Sequence, residues 1–458
     1  MSKAIIIGAG IGGLAVARGL LARGWDVVVY EQATSFRPVG AGLTLAPNAV
    51  RALDWLGAGD ELRERSAAHG ALGVRTPSGR WLLRTPVEAL EARFGAPSFA
   101  LHRATLHEIL ARGIPQATIR TGHRVTAVRD DARPVVAFDG PDGPGEDEAD
   151  VVVAADGIDS RVRAALFPDH PGPAYAGYIA WRGVVAAEDA PAGSRDFGAT
   201  ETWGRGMRFG VVPLGDGQVY WFAVLSAPAG SHREDTLDDL VALFGRWHDP
   251  IPALLRATRP ESLLLHDIRY LATPLPTFHR GRVVLLGDAA HAMTPDLGQG
   301  GCQALEDAVE LCAVLGRVVS DIAARAAGAP TTRPVGASAA RSAGAPNVPA
   351  TADRPAAVAS PAATACPEPL PDIPSALAAY DRARLARTRR IMRASRRMGR
   401  LAQARNPIAA AVRNALVALT PPSAMLRASA EVLGWTPPRI AEEPSGTPRG
   451  TEATPGAS

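Results

Sequence analysis

The hydrophobic period changes twice within the first thirty residues. Lys3 to Ile7 and Asp26 to Tyr30 are short β-branched runs, whereas Gly13 to Arg23 between them is apolar at helical spacing and stops at Gly24. Strand, helix and strand in that order predict a parallel α/β unit. Two further apolar runs, Val151 to Ala155 and Arg282 to Leu286, each finish in an Asp-containing turn and read as later strands of the same sheet. From about residue 172 to 270 the pattern turns extended and aromatic, as in Tyr178-Ile-Ala-Trp-Arg182, Met207-Arg-Phe-Gly-Val-Val212 and Gln218-Val-Tyr-Trp-Phe-Ala-Val224. This predicts an antiparallel sheet. Towards the C-terminus Leu377, Tyr380, Arg384, Thr388, Ile391, Ser395 and Met398 recur every three or four residues. The other faces of that helix carry Arg382, Arg387, Arg390, Arg393, Arg396, Arg397 and Arg400, which read as a solvated basic surface.

The fold class expected is α/β, with α+β lobes. A Rossmann-like nucleotide-binding domain would be assembled from 1–70, 99–171 and 271–322, and an antiparallel-sheet substrate domain from 71–98 and 172–270. Residues 323–371, almost all Ala, Pro, Ser, Thr, Gly and Arg, are expected to be a disordered insertion, 372–436 C-terminal helices and 437–458 a flexible tail.

Composition narrows the chemistry. The 458 residues are 47% hydrophobic and 21% charged, enough for two lobes, and a net charge of +3 gives no reason to expect nucleic acid or a membrane as partner. Lys3 is the only lysine, which removes lysine-based catalysis. Cys302, Cys312 and Cys366 form no C-x-x-C pair and no metal spacing with histidine, so neither a metal site nor a disulfide framework is expected. The chain enters its first strand without a leader pattern, and no run approaches the roughly 18 apolar residues of a membrane span. A soluble cytoplasmic protein, monomer or homodimer, is the expectation.

Three motifs carry the candidate chemistry. Gly8-Ala-Gly10-Ile-Gly12-Gly13 follows a strand and opens a helix, and Glu31 ends the next strand eighteen positions after Gly13. Gly8 permits the tight turn, Gly10 lets a pyrophosphate approach the backbone, Gly13 lets helix pack on strand, and Glu31 can accept ribose hydroxyls. This motif alone does not separate NAD from FAD. Further on, Gly287-Asp288 ends a late strand, where Asp288 can bind a polyol; Pro295 stiffens the following loop, and Gly298-Gln299-Gly300-Gly301 presents backbone N–H groups at a helix start. The third segment, Ala155-Asp156-Gly157-Ile-Asp159-Ser160-Arg161-Val-Arg163, combines a carboxylate turn with two arginines, although Ser160 or Asp159 as a plain helix cap reads equally well.

Together and in this order the motifs resemble the single-component flavoprotein aromatic hydroxylases, a family that includes p-hydroxybenzoate, salicylate and 3-hydroxybenzoate hydroxylases, urate hydroxylase and zeaxanthin epoxidase. Val39-Gly-Ala-Gly42-Leu43 with Pro47-Asn48, and Arg103 followed by Leu106 and Leu110, add to the likeness. The resemblance implies FAD held by Gly8, Gly10, Gly12, Gly13, Glu31, Gly42, Arg103, Val125, Asp288, Gly298, Gln299 and Gly300, with the Asp156 turn shared between FAD and NAD(P)H. It also implies NADH or NADPH as a transient co-substrate, and hydroxylation or epoxidation of a small aromatic, heterocyclic or polyene substrate by O2 through a flavin C4a-hydroperoxide, with Pro295 positioning the oxygen adduct. Tyr178, Arg182, Arg205, Arg208 and Tyr220 are the candidate substrate contacts, set against the ordinary packing role of sheet-face aromatics. No catalytic base is singled out. His291 reads as a loop-stabilising hydrogen-bond former, and His266 with Asp267 point to opposite faces of one strand. A disulfide oxidoreductase lacks its cysteine pair and a halogenase its lysine. An FAD reductase or dehydrogenase of the same fold is the alternative, and a non-catalytic FAD-binding scaffold the more distant one.

Overall fold

β-branched residues suit a pleated surface covered on both sides, and here they form the centre of the molecule. In the computed structural model Lys3–Ile7 pairs in parallel with Asp26–Tyr30 on one side and Val151–Ala154 on the other. Val283–Leu285 extends the sheet beyond Val151–Ala154, also in parallel, and Ile119–Arg120 and His279–Arg280 complete six strands, the last running antiparallel. Residues 1–36, 41–69, 73–85, 87–196, 198–326 and 372–439 are described by the structure. The expected insertion at 323–371 lies outside them apart from 323–326, which end a helix, and so does the expected tail after 439; Val39 is outside as well.

One helix packs directly on the first two strands of the parallel sheet, and longer helices pack behind it. Ile11–Leu21, expected at Gly13 to Arg23, packs along Gly300–Ala326, which runs well past Leu315. The C-terminal helix Ile373–Ala402 lies on the latter, burying Leu377, Tyr380, Arg384, Thr388, Ile391 and Ser395, the stripe read from the sequence, with Met398 half-buried. Two more helices follow, Pro407–Leu419 and Pro422–Leu433.

The aromatic segment forms a seven-stranded sheet in the order Leu264–Tyr270, Ala174–Val185, Val219–Leu225, Met207–Pro213, Thr200–Trp203, Gly73–Arg75 and Trp81–Arg84. It is antiparallel as expected, except that Thr200–Trp203 pairs in parallel with Gly73–Arg75. Alternation divides its two faces. Ile179, Trp181, Phe209, Val211, Trp221 and Ala223 form a core against the helices Leu237–Phe244 and Ile251–Ala257. Tyr178, Ala180, Arg182, Arg208, Tyr220 and Val224 point the opposite way, towards the glycine and Pro295 loops.

Candidate active site

The first strand runs into a turn that requires glycine. Gly8 has a φ of +95°, and a Cβ there would sit 2.6 Å from the Ala155 carbonyl oxygen. At Gly13 a Cβ would fall 1.9 Å from the Gly8 carbonyl oxygen, and at Gly12 2.5 Å from the Leu286 side chain, so both serve helix packing. Gly10 differs, because a Cβ there would meet nothing within 4 Å. Its backbone borders a cleft of about 390 Å³ lined also by Gly8, Glu31, Val125, Asp156 and Arg161. Glu31 accepts the N–H of Ala9 and of Ala33, each at 2.8 Å, and so holds the glycine turn while facing the cleft. His107, which the motif reading missed, donates from Nε2 to the Ala9 carbonyl oxygen at 2.6 Å.

Asp156 Oδ2 accepts the N–H of Arg161 and Val162 at 3.0 and 3.3 Å, while Oδ1 is buried with no partner among the described residues. Burial pushes its pKa up. The cap reading of this motif holds for Ser160, whose Oγ accepts Arg163 N–H at 2.9 Å. Asp159 instead takes Arg269 in a two-pronged pair at 2.7 and 2.8 Å, and Arg163 turns inward to the carbonyls of Ala289 and Ile158. Only Arg161 of the two arginines faces the cleft.

The second loop starts at Gly287. Asp288 is exposed at the start of the short helix Asp288–His291, and the protein around it raises its pKa against the charges of His291, Arg103 and Arg163. Arg103, exposed at the start of the helix Arg103–Ala111, lies near enough for its charge to act on Asp288. Pro295 begins a 3-10 turn to Leu297, Gly298 takes the left-handed conformation at φ +62°, and Gly300 opens the long helix. A Cβ on Gly298 or Gly300 would meet nothing within 4 Å. The start of this helix is thus open to a ligand and carries the positive end of its dipole. Gln299 is different, since its side-chain oxygen is taken up by Asn48 at 3.0 Å and Gln303 at 3.1 Å.

Behind the loop lies a buried ionic network that the motifs did not reveal. Asp307 accepts the Gly287 N–H at 3.0 Å, His291 Nε2 at 2.5 Å and Arg384 Nε at 2.6 Å. Glu306 accepts from Asn48, Arg387 and Arg384. Neither carboxylate is exposed at all. Burial opposes ionisation of Asp307, but the charges and hydrogen bonds of His291 and Arg384 overcome it and hold its pKa at about 2. A depressed carboxylate stabilises the fold above its unfolded pKa and loses that contribution as pH falls through the folded value. Wild-type stability is therefore expected to drop by about 2 kcal/mol more between pH ~4 and ~2 than that of Asp307→Asn, measured as urea midpoints against pH; parallel curves would refute it.

On the facing sheet, Asp296 anchors the site. Its carboxylate, 1% exposed, accepts Tyr178 Oη–H at 2.8 Å and Arg208 Nη2 at 2.7 Å, and Arg208 reaches Glu201 at 3.1 Å. Burial, then the Asp296 charge, pushes the Tyr178 pKa well up. Ser395 locks the adjoining backbone by donating to the Thr294 carbonyl at 2.6 Å, and Gly399 leaves the space Asp296 fills. The Tyr220 ring lies against Gly42, where a Cβ would approach it to 2.6 Å. Arg182 shares this face, and its charge, with those of Arg103 and Arg233, helps lower the His266 pKa after burial. Asp267 points away to Arg233 and the Gly230 N–H. Arg205 stands apart, exposed on the turn between Thr200–Trp203 and Met207–Pro213. Cys302 and Cys312 are buried free thiols, and among the described residues no cluster of metal-binding side chains occurs.

A strand-end cleft with a bare glycine turn, together with an exposed aspartate and an open helix start on the second loop, is the arrangement of a dinucleotide-type flavoprotein. The chain belongs to the family described as FAD binding domain, whose model matches residues 1–327, and is an FAD-dependent monooxygenase. It is 39% identical over 319 residues to the aurachin C monooxygenase/isomerase of Stigmatella aurantiaca, covering 68% of this chain and 80% of the relative. Identity to the FAD-dependent urate hydroxylase of Klebsiella pneumoniae is 37% over 330 residues, covering 70% and 83%. The crystal structure of Klebsiella pneumoniae HpxO complexed with FAD and uric acid superposes with a TM-score of 0.76 at 28% identity, covering 94% of this chain and 96% of that one. The residues present fit FAD: the glycine turn, the Glu31 and Asp156 carboxylates at the cleft, and the open helix start at Gly300 are donors and acceptors of the right kind. No described helix is long and apolar enough to cross a membrane.

Proposed function

We propose that this monooxygenase uses NADH or NADPH and O2 to hydroxylate or epoxidise a small, electron-rich aromatic or heterocyclic compound held between the seven-stranded sheet and the Pro295 loop. Relatives named for aurachin C, urate, 6-hydroxynicotinate and 3-amino-4-hydroxybenzoate support that substrate class. When bound, FAD supplies the redox chemistry, accepting a hydride from reduced nicotinamide and activating dioxygen. Gly8, Gly10, Glu31, Val125 and Asp156 would hold its adenosine diphosphate half, with Gly12 and Gly13 packing the helix behind the turn, and Gly42, Arg103, Asp288, Gly298, Gln299 and Gly300 would hold its flavin half.

The observation that carries the substrate reading is the buried Tyr178–Asp296–Arg208 cluster beside Pro295. Tyr178 gives its proton to the hydrogen bond with Asp296, which leaves its oxygen lone pairs to accept a proton from an acidic substrate O–H or N–H. Transfer from substrate to Tyr178 and onward to Asp296 raises the electron density of the ring at the moment of attack, with Arg208 holding Asp296 in place. Arg182 and Tyr220 face the same space and would orient the ring.

The test is a panel of phenols, hydroxylated N-heterocycles and polyenes assayed for stimulated NAD(P)H oxidation. An electron-rich ring is expected to stimulate it, and Tyr178→Phe to lower product formation by about a hundredfold while retaining FAD. Stimulation by no ring compound, or full activity in Tyr178→Phe, would count against the reading.

A further inference from the structure

A surface helix normally shows charged residues to water and hides its apolar stripe. The helix Pro407–Leu419 does the reverse. Its buried side carries Ala410 and Arg413, the latter tied to the carbonyls of Ala402 and Gly204 and lying over the Trp203 ring. Its outward side carries Ile408, Val412, Leu416 and Leu419, which are 74%, 52%, 59% and 79% exposed and recur at helical spacing with alanines between them. No charged side chain interrupts that face. Leu401, 42% exposed, lies just before the helix. Apolar surface of this kind and continuity marks a contact site rather than scatter.

The surroundings are basic to an unusual degree. From Arg382 to Ala430 the chain has twelve arginines and not one Asp or Glu, although the whole sequence is nearly balanced. Arg393, Arg397, Arg400, Arg405 and Arg427 are exposed and take part in no ion pair among the described residues. An apolar helix face set among unneutralised arginines is complementary to a surface that is apolar within and anionic at its rim. A second copy of this chain is a poor match, because a symmetric contact through this helix would bring two rows of arginines together. The Ala- and Pro-rich stretch at 327–371 has no aromatic side chain and adds positive charge rather than removing it.

We propose that the helix Pro407–Leu419 docks the enzyme peripherally on an anionic lipid bilayer, its apolar face entering the headgroup boundary and the flanking arginines contacting lipid phosphates. The helix packs on Trp81–Arg84, an edge strand of the seven-stranded sheet, so docking sets that sheet against the bilayer. The small net charge of the whole chain conceals this strongly local asymmetry.

The experiment is co-sedimentation of the full-length, FAD-loaded protein with vesicles of phosphatidylcholine, with and without phosphatidylglycerol. Binding is expected only with phosphatidylglycerol and is expected to fall as salt is raised. Ile408→Asp with Leu416→Asp, and separately Arg400→Glu with Arg405→Glu, should each weaken binding by about tenfold or more without changing Tm or flavin content, because all four side chains are exposed. Deletion of 327–371 should leave binding intact. Absence of binding to anionic vesicles, or unchanged binding in the aspartate pair, would overturn the proposal. So would a concentration-dependent dimer that the aspartate pair dissolves, which would assign the face to a second copy.

Discussion

Arg384→Leu is expected to cost about 3–5 kcal/mol and to release FAD, because it takes from buried Asp307 its only arginine among the described residues and from buried Glu306 one of two. The guanidinium contacts Asp307, Glu306 and Gln303 with no exposure to water. Asp307 in turn holds the N–H of Gly287 and the His291 ring, and Glu306 reaches Asn48, which holds Gln299. Loss of one side chain on the C-terminal helix therefore reaches both ends of the Asp288-to-Gly300 loop. Arg382→Leu, exposed two positions away, is the control and should stay within about 0.5 kcal/mol. Urea denaturation with flavin absorbance measures both quantities. Equal midpoints in the two variants would show that the network is not what holds the loop.

Gly10→Val is expected to leave the fold intact and weaken FAD by about a hundredfold or more, about 3 kcal/mol. The added side chain meets no protein atom within 4 Å of its Cβ and projects towards the cleft. Gly13→Val is the contrast, since its Cβ would collide with the Gly8 carbonyl and damage fold and cofactor binding together. Circular dichroism and FAD titration of the two variants separate these effects. A Gly10→Val protein that retains FAD would mean the turn does not face the pyrophosphate.

What could be read from the sequence follows from what periodicity encodes. Lys3–Ile7 and Asp26–Tyr30 were legible to the residue because a continuous β-branched run is a local signal, and the buried stripe of Ile373–Ala402 because helical spacing is. Periodicity names a face but not what touches it. Arg384 fell on the buried stripe with no visible partner, and Arg387, expected on the solvated face, is instead tied to Glu306. Asp296 went unremarked in a loop read for its proline and glycines, since its partners Tyr178 and Arg208 lie 118 and 88 positions away. The parallel pairing of Thr200–Trp203 with Gly73–Arg75 was hidden for the same reason. Glycine roles were half legible: Gly8 and Gly13 match the turn and packing expected, whereas Gly12 proves to pack on Leu286.

Oxygen insertion is tested by mass spectrometry of the product formed under ¹⁸O₂ from a substrate that stimulates NAD(P)H oxidation. One ¹⁸O atom in the product is the predicted result. Substrate-dependent flavin turnover with no label in the product would contradict it and make the enzyme a reductase or dehydrogenase built on the same cofactor site.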